Sequence, residues 1–340
     1  MTDRNPCIVP WLEPLADALA RDRQAVLAVI ASVQGSAPRE PGTAMVISRE
    51  GCHGSIGGGH LEFEAIRLAR DALLQPSAPA PWLARFPLAA RLGQCCGGVA
   101  TLAFAVIAAP DRAWVDTAAQ YMHEGTALQL VTRIGGSGQR HCVERNPDAV
   151  EGDAVLAQSA DGATLLVHTV VPSDFHVLLF GNGHVGRALA QVLGALPARV
   201  RWIDAREEDF PAQVAGNVDI VATDIPEAEL RVAASGAFVI VTTHDHALDL
   251  ALIEAALARD DWRYLGLIGS ASKRNQFEKR LLARGFAPQQ VARITCPIGR
   301  PPGLAIRSKA PGAIAVAVAA EILALREERH VHASTLTADA

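Results

Sequence analysis

A glycine-rich turn with the sequence Gly-Asn-Gly-His-Val-Gly begins at Gly181, between a predicted strand and a predicted helix. In such turns the first glycine permits a tight bend, Gly183 lets a diphosphate approach the backbone, and Gly186 lets the helix pack closely on the strand. His184 lies at the helix start, and Asp204 closes the next strand, where a carboxylate can accept from a ribose hydroxyl. The spacing predicts a dinucleotide-binding-type turn, which either binds a ligand or only packs the helix.

Polar side chains also follow the later strands of the same half. Because ligands of open α/β sheets bind beyond the carboxyl ends of the strands, we treat these loops as one candidate site. A glycine and a serine at a helix start, with a lysine close by, suit an anion. The candidate ligand-binding residues in these loops are His244, Asp245, Ser270, Lys273 and Arg274.

Two of the loop residues, His244 and His246, are two positions apart, so in an extended segment their side chains point to the same face. A metal site is one interpretation. The other is a loop histidine that hydrogen-bonds Asp245 or Asp249 and fixes the turn, which we favour because no third metal ligand is evident.

Three consecutive glycines, Gly57, Gly58 and Gly59, precede a predicted helix over residues 60–74. Their exposed N–H groups at the positive end of a helix predict a second anion site. A run of glycines also costs chain entropy without adding packing, which favours a functional role. Acidic residues in the first helical turn, among them Glu62, complement the helix dipole.

The pentapeptide Gln94-Cys95-Cys96-Gly97-Gly98 is the most unusual in the chain. Its glycines leave both sulfurs approachable, and a thiolate suits a soft metal or sulfur transfer. A pair of small buried thiols beside a tight turn explains the pattern equally well. The chain has six cysteines and no C-x-x-C pair, so we expect free thiols rather than disulfides or a structural zinc site.

The elements that must position these residues differ between the two halves of the chain. The second half alternates regularly, which predicts a doubly wound parallel sheet with helices on both faces. Its predicted strands are 176–180, 199–203, 220–222, 237–242 and 264–268, and its predicted helices are 185–196, 248–259, 272–284 and 314–326.

The first half is α/β with a less regular pattern, including strands of mixed direction at 127–134 and 164–171. The polar stretch 151–162 and the Pro-Ser-Asp break after the last strand place the domain boundary near Pro172. We therefore predict an N-terminal α/β domain over 10–172, a Rossmann-like C-terminal domain over 173–328, and a flexible tail over 329–340.

Composition excludes some classes of function. The 340 residues are half hydrophobic with a net charge of −5, and the basic residues are scattered, which argues against a nucleic-acid partner. The chain opens without a signal-peptide pattern. Its longest apolar run, 313–325, contains Glu321 and is too short to cross a bilayer. We expect a cytoplasmic protein without membrane contact.

Taken in order, seven motifs resemble the XdhC/CoxI family of xanthine dehydrogenase accessory proteins over nearly the whole chain. They are GSAPREPG at 35–42 with Met45, GSIGGGHLE at 54–62, QCCGG at 94–98, GNGHVG at 181–186, THDHALD at 243–249, IGSASKR at 268–274 and CPIG at 296–299. The chain departs from the family at Arg300, where an aliphatic residue is usual, and at 310–313, where the helix start is usually more acidic.

The resemblance implies a chaperone that binds a molybdopterin-type molybdenum cofactor, protects it during sulfuration, and inserts it into an apo molybdenum hydroxylase such as xanthine dehydrogenase. It implies a carrier rather than an enzyme, a homodimer, and contact with a cysteine desulfurase. On this hypothesis the glycine-rich helix starts hold the terminal phosphate, and Cys95 or Cys96 contacts molybdenum or relays sulfur. The Rossmann-like domain could also hold a nucleotide such as NAD(P).

Two other functions fit part of the pattern. An NAD(P)-dependent oxidoreductase would use Asp204 and the glycine turn, but it leaves the N-terminal motifs unexplained, and no hydride-transfer constellation is evident. A regulatory or scaffolding protein would use its nucleotide site only to sense metabolites.

Overall fold

The computed structural model describes Val9, residues 11–89, 97–135, 140–149 and 152–300, Gly303, and residues 306–338. The chain divides into two compact units, Met1–Pro172 and Ser173–Ala340. The strands of the N-terminal unit are β1 Gln24–Gln34, β2 Ala44–Ile47, β3 Cys52–Gly54, β4 Trp82–Pro87, β5 Val99–Ala108, β6 Leu128–Arg133, β7 His141–Arg145, β8 Asp153–Gln158 and β9 Thr164–Val170. Its helices are α1 Leu12–Asp22, α2 Gly59–Leu73 and α3 Arg112–His123.

The first sheet of the N-terminal unit is antiparallel, with the order β3-β2-β1-β5-β4. Its central strand β1 is buried on both faces. Val26 and Ile30 pack with the apolar side of α2, whereas Leu27 and Val29 join a core formed with α1, α3 and the second sheet. Because strand side chains alternate between faces, double burial produces the continuous apolar run of this segment.

The second sheet has the order β7-β6-β9-β8 and is also antiparallel. The two strands predicted at 127–134 and 164–171 are its neighbouring central strands β6 and β9. The polar stretch 151–162, which the sequence pattern assigns to the approach to the domain boundary, contains the edge strand β8. Its Val155 and Leu156 are exposed, so an alternating pattern with one buried face is missing.

The C-terminal unit contains one parallel sheet. Its strands are β10 His176–Phe180, β11 Arg199–Asp204, β12 Val218–Ala222, β13 Phe238–Val241 and β14 Tyr264–Leu267, and its helices are α4 His184–Leu193, α5 Glu227–Val232, α6 His246–Arg259, α7 Ala271–Ala283, α8 Pro288–Ala292 and α9 Pro311–Ala338. The strand order β12-β11-β10-β13-β14 places the first strand of the unit in the centre. This is the Rossmann order, so the predicted fold class is confirmed.

Alternating residues of β10 show how the helices cover both faces of this sheet. Leu178 and Phe180 pack with residues of α6 and α7, whereas Val177 and Leu179 pack with α4 and α9. From β10 the chain runs to β11 and β12 on one side, and after β12 it returns to the other side of β10, where β13 and β14 pair. Ligands of such sheets bind at this switch point, beyond the carboxyl ends of the strands.

The last helix, α9, is longer than the sequence pattern indicates. That pattern predicts a helix over 314–326 and a flexible tail over 329–340, but the backbone is helical to Ala338. None of the helices in the described part of the chain combines the length and the apolar character that a membrane crossing requires.

Candidate functional site

The glycine turn after β10 has the geometry that the sequence predicts. Gly181 has a φ of 111°, and a Cβ there would lie 2.6 Å from the carbonyl oxygen of Thr242. A Cβ at Gly186 would lie 1.9 Å from the carbonyl oxygen of Gly181, so the helix approaches the strand too closely for any other residue. At Gly183, by contrast, no atom in the described ranges lies within 4 Å of the added Cβ. The first and third glycines are structural, and the second leaves open space at the start of α4.

Asp204, expected to accept from a ribose, already accepts from protein donors. Its Oδ2 accepts from the amide of Asn182 at 2.6 Å, and both carboxylate oxygens accept from the Arg206 guanidinium at 2.9 Å. Burial by itself raises the pKa of Asp204, but the hydrogen bonds from Arg206 and Asn182 outweigh it, and the pKa lies below its usual value. The carboxylate therefore stays ionised and anchors the glycine turn to β11.

Asn182 is the second residue of the turn, and its side chain is buried. Its Oδ1 accepts from Nε of Arg187 at 3.1 Å. Its Nδ2 donor meets no acceptor in the described part of the chain. A buried donor without an acceptor is costly, so Asn182 marks a place where a ligand oxygen or a water would be stabilised. His184, at the start of α4, is exposed.

A buried ion pair lies at the carboxyl ends of β13 and β14. Asp249 of α6 is fully buried, and its Oδ2 accepts from Nζ of Lys273 at 2.5 Å. Its Oδ1 accepts from the hydroxyl of Thr243 at 2.6 Å, and Lys273 also donates to the carbonyl of Ile268 at 2.9 Å. The pair holds the loops after both strands together, and Lys273 is committed to it rather than to a ligand.

The other candidates in these loops mainly support the backbone. The Asp245 carboxylate caps α6 by accepting from the amide of Ala247 at 2.7 Å, and the Ser270 hydroxyl caps α7 by accepting from the amide of Lys273. Arg274 donates to the carbonyl oxygens of Val291, at 2.8 Å, and Ile294. These contacts fix the loops, as caps and charged donors at helix ends do.

His244 and His246 are exposed at the start of α6. The expectation that a histidine fixes this turn is wrong, because Thr243 has that role through its bond to Asp249. In the described ranges, no group of three or more histidine, cysteine or acidic side chains is arranged to hold a metal ion.

Cys296 also lies close to the carboxyl end of β14. Its neighbour Thr295 forms a parallel bridge with Gly266 of β14, and a Cβ at Gly269 would lie 3.1 Å from the Cys296 sulfur and 2.9 Å from Cδ of Lys273. Partial burial raises the pKa of the Cys296 thiol despite the nearby positive charges. It is a thiol at neutral pH and, like the other described cysteines, is not in a disulfide.

A cavity of about 460 Å³ lies beside these loops. We call it the basic cavity, because Arg300, Arg307 and Lys309 line it together with Ser270 at the start of α7. In the sequence, Arg300 is distinctive only as a departure from the family pattern, and Arg307 and Lys309 carry no motif. The available signal was the clustering of three cations within ten residues before a helix.

In the N-terminal unit, the predicted anion site at Gly57, Gly58 and Gly59 is occupied by the protein itself. All three glycines have positive φ. Glu62 reaches back from the first turn of α2, and its Oε2 accepts from the amide of Gly58 at 3.1 Å, from the amide of Ile56 at 3.1 Å, and from a serine hydroxyl. A carboxylate of the chain thus takes the place that was expected to hold an external anion.

Three N-terminal motifs meet at one end of the first sheet. A Cβ at Gly98 would lie 2.3 Å from the carbonyl oxygen of Ser36, and a Cβ at Gly35 would lie 3.2 Å from Cα of Gly98. A Cβ at Gly57 would lie 2.6 Å from the ring of Pro38. The segments at 35–42, 54–62 and 97–98 are therefore in direct contact.

Gly97 is exposed, and among the described residues no atom lies within 4 Å of a Cβ added there. Gln94, Cys95 and Cys96, predicted to bind the cofactor or molybdenum, lie outside the described residues. Their roles stay predictions.

Comparison with known proteins assigns the family. Residues 18–86 match the family model described as the XdhC and CoxI family, and residues 177–322 match the model described as the XdhC Rossmann domain. The chain belongs to the XdhC and CoxI family. The glycine loop at Gly57 and the turn at Gly181 lie within the matched ranges, whereas the Cys95-Cys96 pair lies between them.

Relatives of this XdhC family member cover the whole chain or part of it. A protein from Bacillus subtilis (strain 168), named as a probable xanthine dehydrogenase subunit, is 27% identical over 333 residues, which are 92% of this chain and 97% of that protein. The uncharacterized protein YqeB from Escherichia coli (strain K12) is 31% identical over 188 residues, 53% of this chain and 31% of that protein.

A crystal structure of a xanthine dehydrogenase from Bacillus halodurans superposes with a TM-score of 0.70 at 20% identity. The superposition covers 94% of this chain and 96% of the Bacillus halodurans chain. At this level of identity, the similarity shows that this XdhC family member shares the fold.

Proposed function

We propose that this XdhC family member is a chaperone for xanthine dehydrogenase maturation, which binds the molybdenum cofactor, protects it during sulfuration, and inserts it into the apo enzyme. Membership of the family and the xanthine dehydrogenase names of two relatives support this proposal. The proposed partners are an apo molybdenum hydroxylase, a cysteine desulfurase and a second copy of the chain. The cofactor is cargo, so the chain needs groups that bind and release it.

The observation that carries the proposal is the glycine turn at Gly181–Gly186. It has the form of a ligand-binding turn, but the described residues around it do not form a hydride-transfer site. The start of α4 is open at Gly183, where a phosphate or diphosphate can approach the backbone. Beside it, the buried Nδ2 of Asn182 has no acceptor among the described residues, and a ligand oxygen would satisfy it.

Two features disfavour the NAD(P)-dependent oxidoreductase that the same turn suggests. The Asp204 carboxylate already accepts from Asn182 and from both nitrogens of the Arg206 fork, so a ribose hydroxyl would compete with protein donors. Lys273 is bound to the fully buried Asp249 and is not free to exchange a proton with a substrate. A nucleotide-sensing role needs only binding, and the experiment below distinguishes it.

The experiment is anaerobic binding of isolated molybdenum cofactor to the purified chain, with molybdenum quantified after gel filtration. We expect stoichiometric retention and, after sulfuration, activation of an apo xanthine dehydrogenase. Gly183→Val fills the open space at the start of α4, so it should reduce retention while leaving the fold intact. Gly216→Val makes the same substitution at an exposed glycine in the loop before β12, where no described atom lies within 4 Å of an added Cβ, and it is the matched control.

Three outcomes are informative. If the parent chain retains no molybdenum but binds NAD(P), and turnover of a small substrate follows, the oxidoreductase replaces the chaperone. If nucleotide binding occurs without cofactor retention or turnover, the protein is a sensor. If Cys95→Ala and Cys96→Ala retain and transfer the cofactor as the parent does, the two thiols have no part in the mechanism.

A further inference from the structure

The basic cavity lies beside the loop that follows β14, at the carboxyl edge of the parallel sheet. Ser270 and Ala271, from the loop after β14, form one wall. Arg300 follows the Cys296–Gly299 segment, and Arg307 and Lys309 precede α9. With Ile314 and Ala317 of α9, four segments of one unit therefore converge on a single cavity at the carboxyl edge of the sheet, where open α/β sheets bind ligands.

The charges around this cavity have one sign. Arg300, Arg307 and Lys309 make no ion pair or hydrogen bond with any residue that the structure describes, and none of the described lining residues is acidic. Most arginines of this unit are paired: Arg206 binds Asp204, and Arg274 binds carbonyl oxygens. Three unpaired cations around one cavity raise its positive potential and favour an anion.

The start of α7 adds to this potential. The helix is 13 residues long, and Ser270, its N-cap, lines the cavity together with Ala271. The N-terminus of such a helix carries a partial positive charge and directs amide donors outward. Phosphate groups are bound well by arginines and helix amides acting together, because both supply hydrogen-bond donors to the same oxygens.

The size and floor of the cavity indicate that the anion belongs to a larger molecule. About 460 Å³ is within the range of small-molecule sites. The floor is apolar, formed by Ile298, Ile314 and Ala317, and Ile298 is held in the core on the α9 side of the sheet. A bare phosphate would leave this apolar surface uncovered, whereas an organic phosphate would cover it.

The floor is also rigid. The carboxylate of Glu321 in α9 accepts from the amide of Gly299 at 3.0 Å and from the hydroxyl of Tyr264 at 2.7 Å, and all three groups are buried. The segment that ends at Arg300 is thereby fixed to β14 and to α9. A fixed floor reduces the entropy lost on binding.

We propose that the basic cavity is a phosphate subsite, separate from the open start of α4 at Gly183, and binds the phosphate or diphosphate group of an organic phosphate through Arg300, Arg307, Lys309 and the start of α7. For the identity of the ligand as the molybdenum cofactor, this inference rests on the proposed function. A nucleotide carries the same phosphate chemistry and is the alternative source. The subsite replaces the glycine loop of the N-terminal unit, whose amides Glu62 already occupies.

The test is isothermal titration of the full chain with inorganic pyrophosphate, ADP and isolated molybdenum cofactor. The double variant Arg307→Ala, Lys309→Ala should bind pyrophosphate about 100-fold more weakly, because two charge-assisted contacts are lost. Lys279→Ala, on the same helix as the N-cap but outside the cavity lining, removes an exposed charge and should leave binding unchanged.

Different results contradict the phosphate subsite and the proposed function. Unchanged pyrophosphate binding in the double variant, or an equal loss in Lys279→Ala, overturns the subsite. A specific loss of pyrophosphate binding supports it even if the parent chain retains no molybdenum cofactor, in which case the proposed function fails alone. If the parent chain then binds ADP and the double variant does not, the ligand is a nucleotide.

Discussion

The carboxylate of Glu62 accepts a hydrogen bond from the amide of Gly58 at 3.1 Å and closes the glycine loop from inside. The same oxygen accepts from the amide of Ile56 and from the hydroxyl of Ser55. A loop that looks like a phosphate cradle in sequence is therefore a self-capped helix start.

Removing this carboxylate should loosen the loop. We expect Glu62→Ala to lower the free energy of unfolding by about 1–3 kcal/mol, since two part-buried amides lose their acceptor. Urea unfolding measures the change. Glu50→Ala, an exposed acidic residue in the turn before β3, is the control and should change stability by less than about 0.5 kcal/mol. Equal effects of both substitutions would show that the Glu62 contacts do not stabilise the loop.

Alanine substitution of the two adjacent glycines at the end of the QCCGG motif should change the stability of the protein by very different amounts. A Cβ at Gly98 would lie 2.3 Å from the carbonyl oxygen of Ser36, whereas a Cβ at Gly97 would have no atom of the described residues within 4 Å. Gly98→Ala should destabilise the protein by about 3 kcal/mol through overpacking, and Gly97→Ala by less than about 0.5 kcal/mol. Thermal unfolding compares them directly. If Gly98→Ala is as stable as the parent, the packing of Gly98 against the segment at Ser36 is wrong.

Breaking the buried pair between Lys273 and Asp249 should be more damaging than replacing it. Lys273→Met leaves a fully buried carboxylate without its cation, which should cost about 3–5 kcal/mol. Adding Asp249→Asn removes the unpaired charge and keeps a group that can bond Thr243, so the double variant should be more stable than Lys273→Met alone. A double-mutant cycle by chemical denaturation gives the coupling energy. Additive effects would mean that the pair does not interact as described.

The free energy of unfolding should decrease as the pH is lowered from about 6.5 to about 4. Burial lowers the pKa of His168 from its ordinary 6.5 to about 4, and burial likewise lowers the pKa of His141 to about 4. The unfolded chain therefore binds protons in this window while the folded chain does not, so the stability present above pH 6.5 is lost as the pH falls. Each histidine contributes a slope of up to about 1.4 kcal/mol per pH unit.

His168→Phe isolates one of these contributions. The buried ring of His168 lies against Trp11 in a tilted arrangement, with centroids 5.7 Å apart, so an apolar ring suits the position. The slope of unfolding free energy against pH near pH 5 should decrease by about 1.4 kcal/mol per pH unit. An unchanged slope, measured by urea titrations at several pH values, would show that His168 is protonated in the folded protein.

Family motifs and the Rossmann elements were predictable from sequence because their signals are local. The parallel strand β10 was predicted with its observed bounds, since a strand buried on both faces is a continuous apolar run. The roles of Gly181 and Gly186 also followed from spacing alone, because a turn that joins a strand to a packed helix requires them. The edge strand β8 was missed because its exposed apolar residues give no clear periodicity.

Which candidate residues are free to bind a ligand was decided only by the tertiary structure. Sequence spacing identified Lys273, Asp204 and the loop at Gly58 as ligand-binding groups, but each is already paired, with Asp249, Arg206 and Glu62 respectively. Conversely, the cations of the basic cavity became evident only when the fold brought four segments together. The sequence determines which chemical groups exist and which local elements form. The packing of distant segments determines which hydrogen bonds are satisfied internally, and that depends on distances that no local pattern encodes.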